Sequence, residues 1–176
     1  MLKNANDLSL EDVMDYIIKE FHIPTRKSLE NIKELIQDID DEDIKNFPKL
    51  QYLGELYIQF KSEYLKHMEN EEIITFPTIL KYEKIMNLGN RDMLKINDQH
   101  LNYVEMRNEH DIFTSYLLSI IELFEGLDLD RKIKKIQQEF LDIQEKNLEH
   151  ADLENDIVYP KGAELQIKIL GDKKSN

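Results

Sequence analysis

Two eleven-residue stretches concentrate the side chains that could do chemistry. HMENEEIITFP (residues 67–77) and HADLENDIVYP (residues 150–160) each place a Glu four residues after a His, an Ile at seven, and an aromatic–proline pair at nine and ten. A His and a Glu at i and i+4 share one helix face, with Cβ atoms about 5–6 Å apart, so both can reach one cation. Imidazole with carboxylate suits Fe, Mn or Zn rather than a soft thiophilic ion.

The elements that must position them are helices. Apolar residues recur at steps of three and four in four segments. The stripes run Ile18, His22, Thr25, Leu29, Ile32, Ile36; then Leu53, Tyr57, Phe60, Tyr64, His67, Glu71, Ile74; then Met106, His110, Phe113, Leu117, Ile120, Phe124; and finally Leu129, Ile133, Ile136, Phe140, Ile143, Asn147, His150, Glu154, Ile157. Ser9 followed by Asp12 reads as a helix-starting cap. No alternating segment is long enough for a sheet, so the pattern predicts an all-α, up-and-down four-helix bundle. Every helix carries a His on its apolar stripe, and two carry a Glu one turn later.

The heights of these groups can be tested from numbering alone. In an up-and-down bundle with short loops, residues at one level on consecutive helices lie equally far from the turn between them. The midpoints of His22/His67, His67/His110 and His110/His150 fall within IDDEDIKNFP, within NLGN (residues 87–90) and at the end of GLDLD (residues 126–130). His22, His67, His110 and His150 therefore belong to one core layer.

Such a layer asks for metal. A buried carboxylate without a partner is costly, and six ligands exceed the needs of one tetrahedral zinc. If each of two metals takes two imidazoles, Glu71 and Glu154 can bridge the pair. A solvent-derived oxo or hydroxo bridge then makes each metal five-coordinate, with room for a small ligand. The competing reading is a hydrogen-bonded polar layer without metal.

Composition narrows the classes. At 176 residues the chain is long enough for one well-buried core, and a single domain over residues 1–170 with a short polar tail at 171–176 is expected. Absence of Cys excludes disulfides, thiol nucleophiles and thiolate-bound clusters. A net charge of −13 opposes a sequence-independent grip on nucleic-acid phosphates. No stretch is apolar for long enough to span a bilayer and the opening MLKNANDLSLEDV lacks a signal-peptide core, so a cytoplasmic protein is expected.

The ferritin-like di-iron bundles use Glu-x-x-His, which this chain lacks; its order is His-x-x-x-Glu, twice. Taken together, FHIP (residues 21–24), HMENEEIITFP, NEHD (residues 108–111) and HADLENDIVYP resemble the hemerythrin-like domain of the iron–sulfur cluster repair di-iron proteins, the repair-of-iron-centres family. The likeness spans roughly residues 9–165. It implies two iron ions held by His22, His67, Glu71, His110, His150 and Glu154, with both glutamates bridging. It implies repair of iron–sulfur clusters damaged by nitric oxide or oxidative stress, through iron donation or nitric oxide reduction, with damaged iron–sulfur proteins and small ligands such as nitric oxide or oxygen as partners. The oligomeric state stays open. The family usually adds an N-terminal domain with cysteines, which this sequence does not show. Oxygen-carrying hemerythrins would place a second His on the third helix and an Asp five residues after the last His; here those positions are Thr114 and Asn155. The alternative from another class is a binding module that senses or stores oxygen, nitric oxide or iron without turnover.

Neighbouring residues read as follows. Glu72 is 100° around the helix from Glu71 and is expected to be solvated or to support a ligand rather than bridge. Glu69 reads as surface, and His100, about 15 Å along the axis from His110, as outside the layer. Glu109 and Asp111 read as solvated, with orientation of an imidazole as the lesser reading; Tyr57 and Tyr64 read as core, with a hydroxyl in reach of a bound oxo ligand as the lesser reading. Pro24, Pro77 and Pro160 are expected to stop or kink their helices just beyond the metal layer and so to flare the bundle.

Overall fold

A computed structural model describes residues 8–89, 100–127 and 129–171. Four antiparallel helical rods make up the bundle. The first rod (10–37) consists of α1 (Leu10–Ile17), a π-helical turn (Ile18–His22) and α2 (Ile23–Gln37). A short α3 (Asp41–Asn46) and a 3-10 turn (Pro48–Tyr52) lead to the second rod (53–88), which is α4 (Leu53–Asn70), a π turn (Glu71–Thr75) and α5 (Phe76–Leu88). The third rod is α6 (Tyr103–Glu122). The fourth (131–170) is α7 (Arg131–Leu153), a π turn (Glu154–Val158) and α8 (Tyr159–Leu170). Among the described residues there is no strand, and no helix is long and apolar enough to cross a membrane.

Local chemistry explains the boundaries. The Ser9 hydroxyl accepts from the Asp12 N–H at 3.1 Å, and Asp130 and Asn102 cap α7 and α6 in the same way. Asp40 and Asp43 form a reciprocal box at the start of α3. Gly89 ends the second rod in the left-handed region at φ 63°, where a Cβ is costly. The first connection falls on the expected breaker; of the second, Gly89 ends the rod and residues 90–99 lie outside the described residues, as do Asp128 in the third and residues 172–176 of the expected tail.

The prolines do not stop their helices. Each rod that carries one continues for three turns or more, because a π turn sits immediately before it. Proline lacks an N–H and its ring clashes with the carbonyl four residues back. That carbonyl (Glu20, Ile73 or Asp156) lies inside the π turn in every case. The residue before each proline instead bonds five residues back: Ile23 N–H to Ile18, Phe76 to Glu71, Tyr159 to Glu154.

The extra residue in each turn rotates the inner face by one position. Ile74, expected on the second stripe, is 37% exposed, while Thr75 and Phe76 point inward. In the first rod Ile17 is fully buried and Ile18 only partly so. The third and fourth stripes are buried as predicted. Among the described residues two large apolar clusters result, with a small third of Tyr82, Ile85 and Ile169. Of the large ones, one contains Leu29, Ile32, Phe60, Phe113, Ile136 and Phe140; the other, on the far side of the π turns, contains Leu10, Ile17, Phe76, Ile79, Val158 and Tyr159. The second cluster packs the end that was expected to flare. The His and Glu layer lies between them.

Candidate metal centre

All six predicted residues meet in that layer, and all are buried. His67, Glu71, His110, His150 and Glu154 each offer a ligand atom within 4.8 Å of the others. His22 joins them: its Nε2 lies 3.2 Å from His150 Nε2 and 3.4 Å from Glu71 Oε2. The Nε2 atoms form two pairs, His22 with His150 at 3.2 Å and His67 with His110 at 3.1 Å. The two carboxylates face both pairs. Glu154 places Oε1 2.8 Å from His150 and Oε2 3.0 Å from His110. Glu71 Oε2 lies 3.3 Å from His67, 3.4 Å from His22 and 3.7 Å from His150.

Aromatic rings hold each imidazole nearly parallel. Phe76 stacks on His22, Tyr64 on His67, Tyr159 on His110 and Phe21 on His150, with interplanar angles of 14°, 10°, 7° and 15°. Two imidazoles are further fixed through Nδ1. His22 Nδ1 donates to Glu72 at 2.8 Å, and Arg26 holds that carboxylate at 2.7 Å. His67 Nδ1 donates to Glu109 at 2.7 Å. A proton on Nδ1 leaves Nε2 bare and facing the layer, the tautomer a metal ligand needs. Glu72 therefore supports a ligand, the second of its two expected roles. Glu109 takes the lesser of its two expected roles: although its side chain is 36% exposed, it bonds the His67 ring across the gap between α4 and α6. The imidazole it holds is that of His67, 42 positions away, rather than that of its neighbour His110.

Charge is balanced inside the layer. Burial alone would raise the pKa of Glu71 and lower that of His67; their mutual attraction, with the contacts from His150 and His22, wins, so Glu71 sits well below the usual carboxylate range and His67 above the usual imidazole value. Burial and the charge of Glu71 oppose ionisation of Glu154, yet His150 and His110 keep it low. Against burial, the two carboxylates push His150 up to about 10.

Tyr159 is the site residue that sequence reasoning missed. Its hydroxyl lies 2.5 Å from Glu71 Oε1 and 2.9 Å from Glu154 Oε2, in the middle of the layer. Burial, then the charges of Glu154 and Glu71, raise its pKa well above the usual phenol value. The tyrosines considered from sequence act elsewhere: Tyr57 donates to the Leu29 carbonyl at 2.6 Å, and Tyr64 stacks on His67. Thr114, where an oxygen carrier would place a His, accepts from Asn147 at 3.2 Å. His100 is exposed and outside the layer. A groove of about 1050 Å³ between the second and third rods reaches down to His67, Glu109 and Phe113.

The donor set fits a pair of cations. Glu71 Oε2 is buried among three imidazole nitrogens yet accepts no hydrogen bond, an arrangement that costs free energy unless a positive ion compensates it. Comparison with known proteins supports cation binding. The sequence pattern of the hemerythrin HHE cation binding domain matches residues 13–162. The chain belongs to that family. Within the hemerythrin fold it is similar to the iron–sulfur cluster repair protein ScdA of Staphylococcus epidermidis, 21% identical over 163 residues, 90% of this chain and 69% of the relative. The protein of the same name from Staphylococcus haemolyticus is 21% identical over 160 residues, with the same coverage of both chains. A hemerythrin cation-binding domain with a buried His and Glu layer able to hold metal is thus the common ground of the family match and the geometry.

Proposed function

We propose that this hemerythrin-family chain is a non-haem di-iron protein that repairs iron–sulfur clusters damaged by nitric oxide or oxidative stress in the cytoplasm. The observation that carries the reading is the sorting of four Nε2 atoms into two pairs, with a carboxylate oxygen of Glu71 or Glu154 near every one of them. His22 and His150 would hold one ion, His67 and His110 the other, and the two glutamates both. Bound iron would supply two redox-active Lewis acids that accept electrons and small ligands or are given up to a damaged cluster.

The chain's own residues prepare for that chemistry. Glu72 and Glu109 keep His22 and His67 in the ligating tautomer. The stacked rings of Phe21, Tyr64, Phe76 and Tyr159 exclude water from the imidazole faces, where a low local dielectric strengthens each ionic contact. The groove at His67 provides the approach for nitric oxide or oxygen, or the exit for iron. Damaged iron–sulfur proteins are the proposed clients, in keeping with the cluster repair for which the ScdA relatives are named.

Metal analysis and an absorption spectrum of aerobically purified protein test the centre; two irons per chain are expected, and less than one would overturn it. Timed recovery of a damaged [4Fe–4S] dehydratase, with and without the iron-loaded protein, tests the repair. No acceleration would favour the second reading, a module that senses or stores oxygen, nitric oxide or iron, for which the same groove to His67 is sufficient.

A further inference from the structure

The two glutamates are held in different ways. Glu154 is held at both oxygens by imidazoles, Oε1 by His150 and Oε2 by His110. Glu71 has no comparable anchor. Its Oε2 accepts no hydrogen bond, and its Oε1 takes one, at 2.5 Å, from the Tyr159 hydroxyl. One phenol proton faces two carboxylate oxygens, and the shorter distance assigns it to Glu71.

The backbone explains how a residue of the fourth rod comes to hold one of the second. In an α-helix a residue five positions on sits about 140° around the axis at 100° per residue, so Tyr159 would point away from Glu154. The π turn inserts one residue, and the Tyr159 N–H bonds the Glu154 carbonyl. Tyr159 then lies on the same side as Glu154, fully buried, with its ring stacked on His110. The corresponding residue of the second rod, Phe76, stacks on His22 in the same manner but carries no hydroxyl.

We infer that Tyr159 is a positioning residue of the metal centre: by occupying Oε1 of Glu71 it turns Oε2 toward His22 and His67, so that Glu71 presents one aimed oxygen where Glu154 presents two. The inference rests on the di-metal reading of the layer and adds a seventh residue to it, one that touches carboxylates and not metal. Fixing a ligand through its other oxygen is the role outer-shell groups play in metal sites, and their loss commonly costs 10–100-fold in metal affinity.

The experiment compares wild type, Tyr159→Phe and a control, Tyr57→Phe, which removes a buried phenol hydroxyl bonded to a backbone carbonyl away from the layer. Phe is tolerated at the equivalent place in the second rod, so the fold is expected to survive Y159F. Metal-free protein is titrated with cobalt(II), read by calorimetry and by the visible spectrum. Wild type and Y57F are expected to bind two ions with the same spectrum. Y159F is expected to bind at least one ion about tenfold or more weakly, and with a changed spectrum. Binding of both ions by Y159F within twofold of wild type, with an unchanged spectrum, overturns the inference. A second readout needs no metal: the ¹³C carboxyl resonance of Glu71 in metal-free protein is expected to shift in Y159F while that of Glu154 moves less. Failure of wild type to take up cobalt or iron would sink the di-metal reading alone; an unmoved Glu71 resonance in Y159F would sink the role of Tyr159 alone.

Discussion

Residues 67–77 and 150–160 are built on one backbone plan and carry different side chains. Each has a His, a Glu one turn later, a π turn starting at that Glu, and an aromatic–proline pair that resumes the α-helix. Each aromatic residue stacks on the His of the preceding rod, Phe76 on His22 and Tyr159 on His110. The differences begin next to the glutamates. Glu72 reaches across to His22 Nδ1, whereas Asn155, one methylene shorter, leaves its Oδ1 unpartnered, and so is His110 Nδ1. Phe76 is apolar where Tyr159 brings a hydroxyl between the two carboxylates. A repeated backbone device therefore sets where ligands stand, while the residues around it make the two halves of the centre unequal.

The largest expected effect comes from the glutamates. Glu154→Ala removes oxygens that face one imidazole of each pair, and iron content below one per chain is expected. Glu71→Ala removes one aimed oxygen and is expected to retain more iron than E154A; equal loss in the two variants would erase the inequality drawn above. Next in size is removal of metal itself. Stabilisation by a ligand present at 100 times its dissociation constant is about 2.7 kcal/mol, so complete chelation is expected to lower the melting temperature by about 5–10 °C. An unchanged melting point would mean that the layer is not compensated by metal.

The supporting carboxylates come third. Glu72→Leu and Glu109→Leu are each expected to weaken metal binding by about tenfold or more, because His22 and His67 lose the acceptor that fixes their tautomer. The reverse change, Asn155→Glu, extends an acceptor toward His110 and is expected to tighten binding; calorimetry that shows weaker binding in N155E would refute the proposed likeness of the two halves. The smallest effect lies outside both segments. Asp43, whose pKa is lowered first by the hydrogen bond from Lys132 and then by the Asp40 N–H, contributes stability above its unfolded value of about 3.9 and loses it as pH falls through the lower folded value. Asp43→Asn is expected to melt a few degrees lower at neutral pH, and its deficit against wild type should begin to shrink as pH falls below about 3.9 and vanish only below the lower folded value. A deficit that persists there would point to packing rather than charge.

Much of this centre was legible before any coordinates. Histidine and glutamate at heptad-like positions on Ile, Leu and Phe stripes had to be buried, and equal distances from three turns put the four imidazoles at one height. The third and fourth stripes are buried throughout. Where reading failed, it failed at the π turns. A strict 3.6-residue period carried past Glu71 puts Ile74 inside, but the inserted residue exposes it and buries Thr75 and Phe76. The same shift hid Tyr159, whose place nine residues after His150 lies off the α-helical stripe. The partner of Glu109 was hidden for another reason: beside His110 in sequence, Glu109 serves His67 on a different rod.

Sequence by itself determined the class of fold, the six converging His and Glu residues and the layer they share, because periodicity and turn spacing are properties of the chain. Only the tertiary structure decided which imidazoles pair, which two are backed by carboxylates, and that a tyrosine hydroxyl joins the glutamates. Those depend on distances between side chains from different rods. One extra residue in a helical turn is enough to change them.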